Sequence, residues 1–568
     1  MPEREAAETT IVVLGAGING AALARELLLS GVRVVVVEAD DIACGATAWS
    51  TRLVHGGLRY LEYGELDLVR ESLAERDRLV RLAPHLVRPL GFFLPVKGRW
   101  GGLAAAAARL LGLESVARAW RGRGRGSIAV GLGLALYDGL AAGHAWPRRR
   151  SVTTGTPGLP AVDARAFPYA AVYADAQMLF PERFTTELLV DAGRIAAERR
   201  TSFSLLTHAT TASTAGGGLR VATAAGDTVD LRPAAIVNAT GAWVDRTRAE
   251  ILPPSSGRLI GGTKGSHLIL AAPALRGALG DHGVYAEADD GRPVFVLPFG
   301  PRLVLVGTTD IPFAGDPATA RADESEIAYL LAAVARLFPQ AAPPPAAVIQ
   351  HYCGVRPLPA ADGATPASVT RRHMLVRQTD AALPTWSVVG GKLTTCRSLA
   401  EDAAAEVLGT LALPVRETSR ERPLPGSLAA EIRPACVAEA TRLLAVAGIP
   451  ADRVAAAAEG TIALFGARGI EVCRRAGRLP ATAPPLIAGT DLPTAAVGFA
   501  IEEEWAGSLA DIVERRLMLS FAETLSRTTL AAVAAEMTRL GRLTAAQADE
   551  EVRREVERLR VHHGKQVA

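Results

Sequence analysis

A glycine-rich turn between an apolar segment and a helical segment is the feature that most constrains how this chain folds. Ile11–Leu14 is apolar and β-branched and predicts a buried parallel strand. Gly15–Gly20 follows with the spacing G-x-G-x-x-G, and Ala21–Ser30 has helical composition. Val32–Val37 predicts a second strand, which ends at Glu38. The order strand, turn, helix, strand and acid is that of a dinucleotide-binding βαβ unit in an α/β fold.

Each part of this unit has a physical reason to bind a dinucleotide rather than to be an ordinary glycine turn. Glycine lets the backbone approach a pyrophosphate, and the N-terminus of the following helix attracts its negative charge. An acid at the end of the second strand accepts hydrogen bonds from a ribose. The residues expected to bind the cofactor here are Gly15, Gly17, Asn19, Gly20 and Glu38.

Composition excludes several classes of protein. With 568 residues, 49% hydrophobic and 21% charged, the chain is expected to fold into three or four globular units. A net charge of +3 gives no general case for a nucleic-acid partner. The five cysteines are scattered without a CxxC pair, so we expect no metal site and a reducing, cytoplasmic compartment. Met1–Thr10 lacks the apolar core of a signal peptide, and no uncharged apolar run approaches the length of a bilayer span.

A second strand–glycine–helix turn lies about 370 residues after the first, in Ser387–Arg397. A helix N-terminus at this turn would face the electron-accepting ring of a flavin and stabilise its anionic reduced form. Lys392 lies in the turn and is one of only four lysines among 62 basic residues, which suggests a specific role. Ala235–Trp243 predicts a strand that ends in Ala-Thr-Gly, a second approach of chain to nucleotide in flavoproteins.

Four further motifs combine glycines with polar or cationic side chains. Taken alone, each would be read as a loop histidine or a solvated surface charge. The four are Thr51–Tyr60, Lys264–His267, Gly307–Asp310 and Gly354–Leu358, the last with Arg371 fifteen residues after Arg356.

Seven motifs in the same order make the sequence similar to the FAD-dependent glycerol-3-phosphate dehydrogenase family, of the aerobic, quinone-linked type. They are GAGING (15–20), HGGLRYLE (55–62), VNATGAWV (237–244), KGSH (264–267), GTTD (307–310), GVRPL (354–358) and GGKLTT (390–395). The resemblance runs from Ile11 to about Glu401 and is weaker beyond. It implies a D-amino-acid-oxidase-like flavoprotein. Its reaction would oxidise sn-glycerol 3-phosphate to dihydroxyacetone phosphate, with electrons passing to FAD and then to membrane quinone.

The resemblance also implies roles for residues that match the family's motifs. The implied substrate-binding residues are Arg59, Tyr60, His267, Arg356, Arg371 and Lys392. The implied catalytic residues are His55, His267, Arg356 and Lys392, with either histidine a candidate base. Further expected FAD contacts are Thr51, Arg52, His55, Gly56, Gly57, Thr240, Gly241, Gly391, Lys392, Leu393 and Thr394. The chain departs from the family's usual pattern at Ala46–Arg52, at Asp175–Gln177 and in the Arg-rich insertion 118–126.

The expected architecture has three domains and a basic insertion. A Rossmann-like FAD-binding domain comprises residues 1–98, 151–255 and 350–412, and is interleaved with an antiparallel-sheet substrate domain, 256–349. A basic insertion spans 99–150, and an α-helical C-terminal domain spans 413–568.

Lys97–Arg150 holds ten basic and two acidic residues, which suggests docking on an anionic membrane from the cytoplasmic side, whereas a solvated Arg/Gly loop is the alternative. A homodimer is a further expectation.

Three alternatives to the quinone-linked dehydrogenase follow from the same residues. One is an oxidase that passes electrons to oxygen. Another is a dehydrogenase of a related hydroxy acid or phosphorylated polyol. The third is a flavin-binding or membrane scaffold without activity, which the cationic motifs and both histidines argue against.

Overall fold

The computed structural model describes residues 9–100, 126–141, 146–224, 226–252, 257–360, 372–379 and 381–568. Most of the basic insertion and the expected substrate ligand Arg371 lie outside these described residues.

Among the described residues, strands and helices are interspersed through the first 410 positions, and only helices follow. The strands β1 to β19 are Thr10–Leu14, Arg33–Val37, Leu53–Val54, Val87–Val96, Arg150–Thr153, Tyr169–Met178, Phe203–Leu206, Ala209–Ser213, Leu219–Thr223, Thr228–Leu231, Ala235–Asn238, Thr263–Leu270, His282–Glu287, Pro293–Phe299, Leu303–Gly307, Ile311–Pro312, Val348–Arg356, Met374–Gln378 and Thr385–Val389. The helices α1 to α14 are Ile18–Leu29, Leu66–Leu82, Ser127–Leu140, Pro181–Arg199, Val244–Ile251, Pro273–Leu279, Glu324–Leu337, Cys396–Thr410, Arg433–Val446, Val454–Phe465, Gly469–Ala476, Ala495–Glu503, Arg527–Arg539 and Ala545–His563.

The first sheet has the strand order β18-β19-β11-β1-β2-β7 and is parallel except for β18. Strand β1 lies at its centre and is buried on both faces, which explains its uninterrupted apolar run. Ile11 and Val13 pack into the core that contains α1, α4 and α8, while Val12 and Leu14 face a small antiparallel sheet of β8, β9 and β10. The predicted βαβ unit is therefore the centre of a doubly covered α/β sheet.

The second sheet is mostly antiparallel, with the order β16-β12-β15-β14-β13-β4-β6-β3, and β17 and β5 add to β12 and β6. The α/β class with an interleaved antiparallel sheet is thus confirmed. The expected domain boundaries need correction, because β4, β6 and β17 lie within segments assigned to the FAD-binding domain. Each has its hydrogen-bonded partner in the second sheet.

The C-terminal region is helical, as expected, but its helices are shorter than the sequence periodicity suggests. Hydrophobic periodicity predicts one amphipathic segment over Gly498–Thr524 and another over Thr529–Val561. In the first, α12 ends at Glu503 and a short π-helical turn covers Asp511–Arg516. Thr529–Val561 divides into α13 and α14 around Gly541, whose φ is +70°. Among the described helices none is long and apolar enough to cross a bilayer.

Candidate active site

The first glycine turn is closely packed at two of its glycines and open at the third. A Cβ atom at Gly15, where φ is +101°, would lie 2.8 Å from the Ala239 carbonyl oxygen. A Cβ atom at Gly20 would lie 2.0 Å from the Gly15 carbonyl oxygen. At Gly17 the nearest such contact is Thr47 Oγ1 at 3.5 Å, an ordinary van der Waals distance. The open side of Gly17 at the N-terminus of α1 therefore has room for a phosphate.

Glu38 closes this turn from the end of β2. Its Oε2 accepts a hydrogen bond of 2.7 Å from the Ala16 backbone N–H, and its Oε1 accepts one of 3.1 Å from Asp40. Burial raises the pKa of Glu38, because desolvation disfavours its charged form more than these two donors favour it. The carboxyl group therefore lies beside the first glycine turn, and its contact with a ribose stays a prediction.

The second glycine turn meets the first. Gly391 has φ +94°, and a Cβ atom there would lie 2.5 Å from Asn19 Nδ2. Asn19 Oδ1 is buried without a hydrogen-bond partner among the described residues, and an orphaned acceptor of this kind suits a bound ligand with a donor group. Gly390 N donates to the Pro357 carbonyl at 2.9 Å, so the GVRPL and GGKLTT motifs are adjacent.

The end of β11 lies beside the first glycine turn. A Cβ atom at Gly15 would be 3.1 Å from Thr240 Cα, and Thr240 Oγ1 donates to Asn238 Oδ1 at 2.7 Å. Gly241 has φ +60°, and no described atom lies within 4 Å of the position its Cβ would take. The Ala-Thr-Gly strand end thus reaches the position where the sequence predicts a second approach to the nucleotide.

Thr51 links the long segment after β2 to the second sheet. Its Oγ1 lies 2.9 Å from Nε2 of His267 on β12. The His267 imidazole is buried and stacks on Tyr352 with ring centroids 4.9 Å apart. Burial, reinforced by the positive charges of Arg356 and Arg52, lowers the pKa of His267 well below its usual range. His267 is consequently a neutral imidazole at neutral pH.

Arg356 lies near His267 at the end of β17. Its guanidinium donates to Asp310 Oδ1 at 2.7 Å, to Thr308 Oγ1 at 2.9 Å and to the Thr309 carbonyl at 3.1 Å. The GTTD motif therefore orients the arginine of GVRPL. Its side chain is 23% exposed, so Arg356 is less completely buried than His267.

Lys392 lies where HGGLRYLE and GGKLTT meet. Its Nζ is 4.2 Å from the centroid of the Tyr60 ring and 3.4 Å from Ser72 Oγ. In the same motifs the His55 backbone N–H donates to Thr394 Oγ1 at 3.0 Å, and the His55 and Tyr60 ring centroids are 6.5 Å apart. Sequence reasoning gave no signal for Ser72, because it lies inside the amphipathic helix α2.

Several expected cofactor residues have other roles for their side chains. Arg52 is fully buried and forms a bidentate ion pair with Glu182, so both of its terminal nitrogens already have protein partners. Leu393 packs into the core of the first sheet. The Gly56 N–H donates to Tyr137 Oη at 2.8 Å, and a Cβ atom at Gly57 would lie 2.1 Å from Tyr60. These two glycines are required by close contacts with protein side chains, and their contact with FAD stays a prediction.

Asp175 is a residue that sequence reasoning noted only as a departure from the family. Its carboxylate accepts from Tyr137 Oη at 2.8 Å and from Arg76 at 3.0 Å, behind the Gly56 backbone. The Asp175–Gln177 segment therefore supports the HGG motif. Arg59 lies half-buried in the 3₁₀ turn Leu58–Tyr63 that follows this motif.

Comparison with known proteins agrees with this geometry. The model of the DAO family, described as FAD dependent oxidoreductase, matches residues 10–377. The fold and the paired glycine turns define an FAD-dependent oxidoreductase, and FAD is its cofactor. The open side of Gly17 and the orphaned Asn19 acceptor fit a bound dinucleotide.

Two relatives indicate which family of FAD-dependent oxidoreductases the chain belongs to. The glycerol-3-phosphate dehydrogenase of Synechocystis sp. is 32% identical over 91% of this chain and 90% of its own length. The aerobic glycerol-3-phosphate dehydrogenase of Escherichia coli is 32% identical over 69% of this chain and 72% of its own. The chain therefore belongs to the FAD-dependent glycerol-3-phosphate dehydrogenase family.

Two further comparisons bear on substrate and fold. The D-erythritol 1-phosphate dehydrogenase of Brucella abortus is also 32% identical, over 89% of this chain and 93% of its own length. The structure of the Bacillus halodurans glycerol-3-phosphate dehydrogenase complexed with FAD superposes with a TM-score of 0.72 at 23% identity. It covers 98% of this chain and 96% of that one. The overall fold is therefore shared along nearly the whole chain.

Proposed function

We propose that this protein oxidises a phosphorylated polyol, with sn-glycerol 3-phosphate as the first candidate and dihydroxyacetone phosphate as its product. The proposal depends on the position of a neutral, buried His267 near the partly exposed Arg356. The same fold brings Lys392 to the paired glycine turns. Names of the relatives support the same substrate class.

Cations of this site would bind the phosphate. A phosphate monoester carries about two negative charges at neutral pH, and guanidinium and ammonium groups are its strongest side-chain ligands. Arg356 and Lys392 are both within motifs that meet through the Gly390–Pro357 hydrogen bond. Arg59 is the third candidate, and Arg371 remains a prediction outside the described residues.

Bound FAD supplies the hydride acceptor. We infer that His267, rather than His55, takes the hydroxyl proton. Its imidazole is neutral, and Thr51 Oγ1, which lies 2.9 Å from His267 Nε2, fixes the orientation of the ring. Because Arg356 helps to lower the pKa of His267, a dianion bound to that guanidinium would offset its charge and raise the basicity of the imidazole. The base would thus gain strength when substrate is present.

A substrate panel tests this proposal. The purified holoenzyme is assayed with an artificial electron acceptor and with sn-glycerol 3-phosphate, D-erythritol 1-phosphate or glycerol. We expect sn-glycerol 3-phosphate to give the highest kcat/KM and glycerol to give activity lower by several powers of ten. A preference for D-erythritol 1-phosphate would favour the second candidate, which the Brucella relative suggests. Equal activity with glycerol would refute phosphate recognition.

We also propose that electrons pass to a membrane quinone and that the protein binds an anionic membrane from the cytoplasmic side. Helix α3 exposes Leu132 (62%) and Leu136 (42%), and Trp100 is 71% exposed, so large apolar side chains lie on either side of the basic stretch in the sequence. Such side chains favour insertion into the interfacial region of a bilayer. The expected homodimer stays a prediction that sedimentation equilibrium would test.

Liposome sedimentation tests the membrane proposal, with Leu132→Asp as the variant and Val446→Asp as the matched control on an exposed valine of α9. We expect salt-sensitive binding to anionic vesicles that L132D loses and V446D keeps. Equal binding by both variants would contradict the assignment of α3. Anaerobically reduced enzyme mixed with a quinone or with oxygen then distinguishes a dehydrogenase from an oxidase by which one reoxidises the flavin faster.

A further inference from the structure

A fully buried ion cluster joins the C-terminal helices to the loop that follows Glu38. Asp41 has no exposed surface, and its carboxylate accepts hydrogen bonds from Arg515 Nε at 2.6 Å and from Arg516 Nη1 and Nη2 at 2.8 and 2.7 Å. Both arginines are at most 2% exposed. Two guanidinium groups more than 470 residues away thus bind one carboxylate of the FAD-binding domain.

The arginines are themselves fixed from behind. Both lie in the π-helical turn Asp511–Arg516. Arg515 Nη2 donates to Asp511 Oδ1 at 2.9 Å, and Arg516 Nε donates to the Glu504 carbonyl at 2.8 Å. The carboxylates of Asp41 and Asp511, with the nearby His208, have the donor atoms of a metal site. The two guanidinium groups already supply the positive charge that these carboxylates need, so we assign no metal there.

Asp41 lies between two hydrogen bonds that connect its loop to the first glycine turn. Before it, Glu38 Oε2 accepts from the Ala16 N–H at 2.7 Å. After it, the Ala43 N–H donates to the Ala16 carbonyl at 3.1 Å, with Ala43 in the left-handed region at φ +62°. The loop therefore encloses Ala16, in the middle of GAGING, and its path depends on where Asp41 is held.

The ion pairs between Asp41 and the two arginines also have an electrostatic consequence. Without Arg515 and Arg516, Asp41 would be an unpaired carboxylate in a buried environment, and the loop would have to move to hydrate it. Burial raises the pKa of Glu38, and repulsion from the negative charges of Asp40 and Asp41 raises it further. Guanidinium groups on Asp41 limit this repulsion.

We propose that Arg515 and Arg516 are positioning residues for FAD, because they hold Asp41 and, through it, the loop that shapes the first glycine turn. The C-terminal helical region is then part of the cofactor-binding apparatus, although it adds no residue to the turn itself. This inference does not depend on which polyol phosphate is the substrate.

Arg516→Lys tests the proposal, since lysine keeps the charge but cannot form the bidentate pair. Arg468→Lys is the matched control. It is a buried arginine of the same region, 6% exposed, and it pairs with Glu504 at 2.5 Å instead of with the loop. For each apoprotein the dissociation constant of FAD is measured by flavin fluorescence, and the unfolding temperature is measured without FAD.

We expect R516K to raise the dissociation constant of FAD at least tenfold, and R468K to change it less than threefold, at similar unfolding temperatures of the two apoproteins. Unchanged FAD affinity in R516K would overturn the proposal, as would an equal loss in R468K, which would indicate general loosening of the helical region. If apo-R516K does not fold, Arg515→Lys decides by the same criterion, because it leaves the Arg516–Asp41 pair in place.

Discussion

Replacing Lys392 with methionine should reduce catalytic efficiency without releasing FAD. Methionine keeps most of the length and apolar surface of the side chain and removes only the charge. A hydrogen bond from a charged donor contributes about 1.5–3 kcal/mol. At about 1.4 kcal/mol for each factor of ten, the loss of one such bond to the phosphate lowers kcat/KM by about 10- to 150-fold.

The fold should tolerate this change. Lys392 Nζ lies 4.2 Å from the Tyr60 ring centroid on a half-buried side chain, and such a cation–π contact contributes about 0.5–1 kcal/mol. The unfolding temperature should therefore fall by only a few degrees. Steady-state kinetics with sn-glycerol 3-phosphate, together with the ratio of flavin to protein, measures both effects.

Lys97→Met is the matched control, because Lys97 is 57% exposed and 3.6 Å from Asp289 on the surface. Its kcat/KM should equal that of the wild type, and Lys392→Arg should recover part of the loss in K392M. A kcat/KM in K392M within twofold of the wild type would refute the placement of Lys392 in the substrate pocket. Loss of flavin from K392M would instead make Lys392 a cofactor ligand.

Further substitutions probe the rest of the site and the stability of the fold. His267→Asn should lower the rate of flavin reduction by about 10²–10⁴-fold, as expected for a general base, and His55→Asn should lower it much less; the reverse order in stopped-flow absorbance would exchange their roles. Tyr352→Leu removes the ring that stacks on His267. An aromatic pair contributes about 0.5–1.5 kcal/mol, so this variant should slow flavin reduction by about 2- to 12-fold, whereas Tyr352→Phe should stay near the wild-type rate. Equal rates in both variants would argue against stacking as the cause. Gly17→Val should abolish FAD binding while the apoprotein keeps its unfolding temperature. The protein leaves space for a side chain at Gly17, but the same space is needed by the phosphate of FAD. A variant that still binds one FAD per chain would contradict this. The pKa of Glu504 is lowered from 4.5 to about 2 despite its burial, by the charges of two buried arginines, so its ion pairs stabilise the fold fully above pH 4.5 and lose that contribution as the pH falls to about 2. The contribution is at most about 3 kcal/mol, and acid titration of Glu504→Gln by circular dichroism should show a correspondingly weaker pH dependence between these limits.

The parts of this fold that the sequence could predict are those with local causes. Ile11–Leu14 is apolar at every position because both faces of β1 are covered. Gly15 and Gly20 of the following turn are required because a Cβ atom there would lie 2.8 and 2.0 Å from a backbone oxygen. Both signals lie within one short window. The contact between Gly391 and Asn19 joins two turns about 370 residues apart, and no local pattern predicts it.

The parts that could not be predicted depend on partners far away in the sequence. Arg52 lies in the Thr51–Tyr60 motif, where the resemblance implies a cofactor contact, but Glu182, 130 residues later, pairs with both of its terminal nitrogens. Asp511–Arg516 has the composition of an amphipathic helix, yet all of its charged side chains are buried, and two of them, Arg515 and Arg516, bind Asp41. Hydrophobic periodicity treats charged residues as solvent-facing and cannot register buried ion pairs.

Anaerobic titration of the FAD-loaded protein with sn-glycerol 3-phosphate tests the central claim most directly, because it needs no external electron acceptor. The account predicts that the visible absorbance of the oxidised flavin disappears as dihydroxyacetone phosphate forms, one molecule for each flavin reduced. Flavin that stays oxidised with sn-glycerol 3-phosphate and with D-erythritol 1-phosphate alike would contradict it.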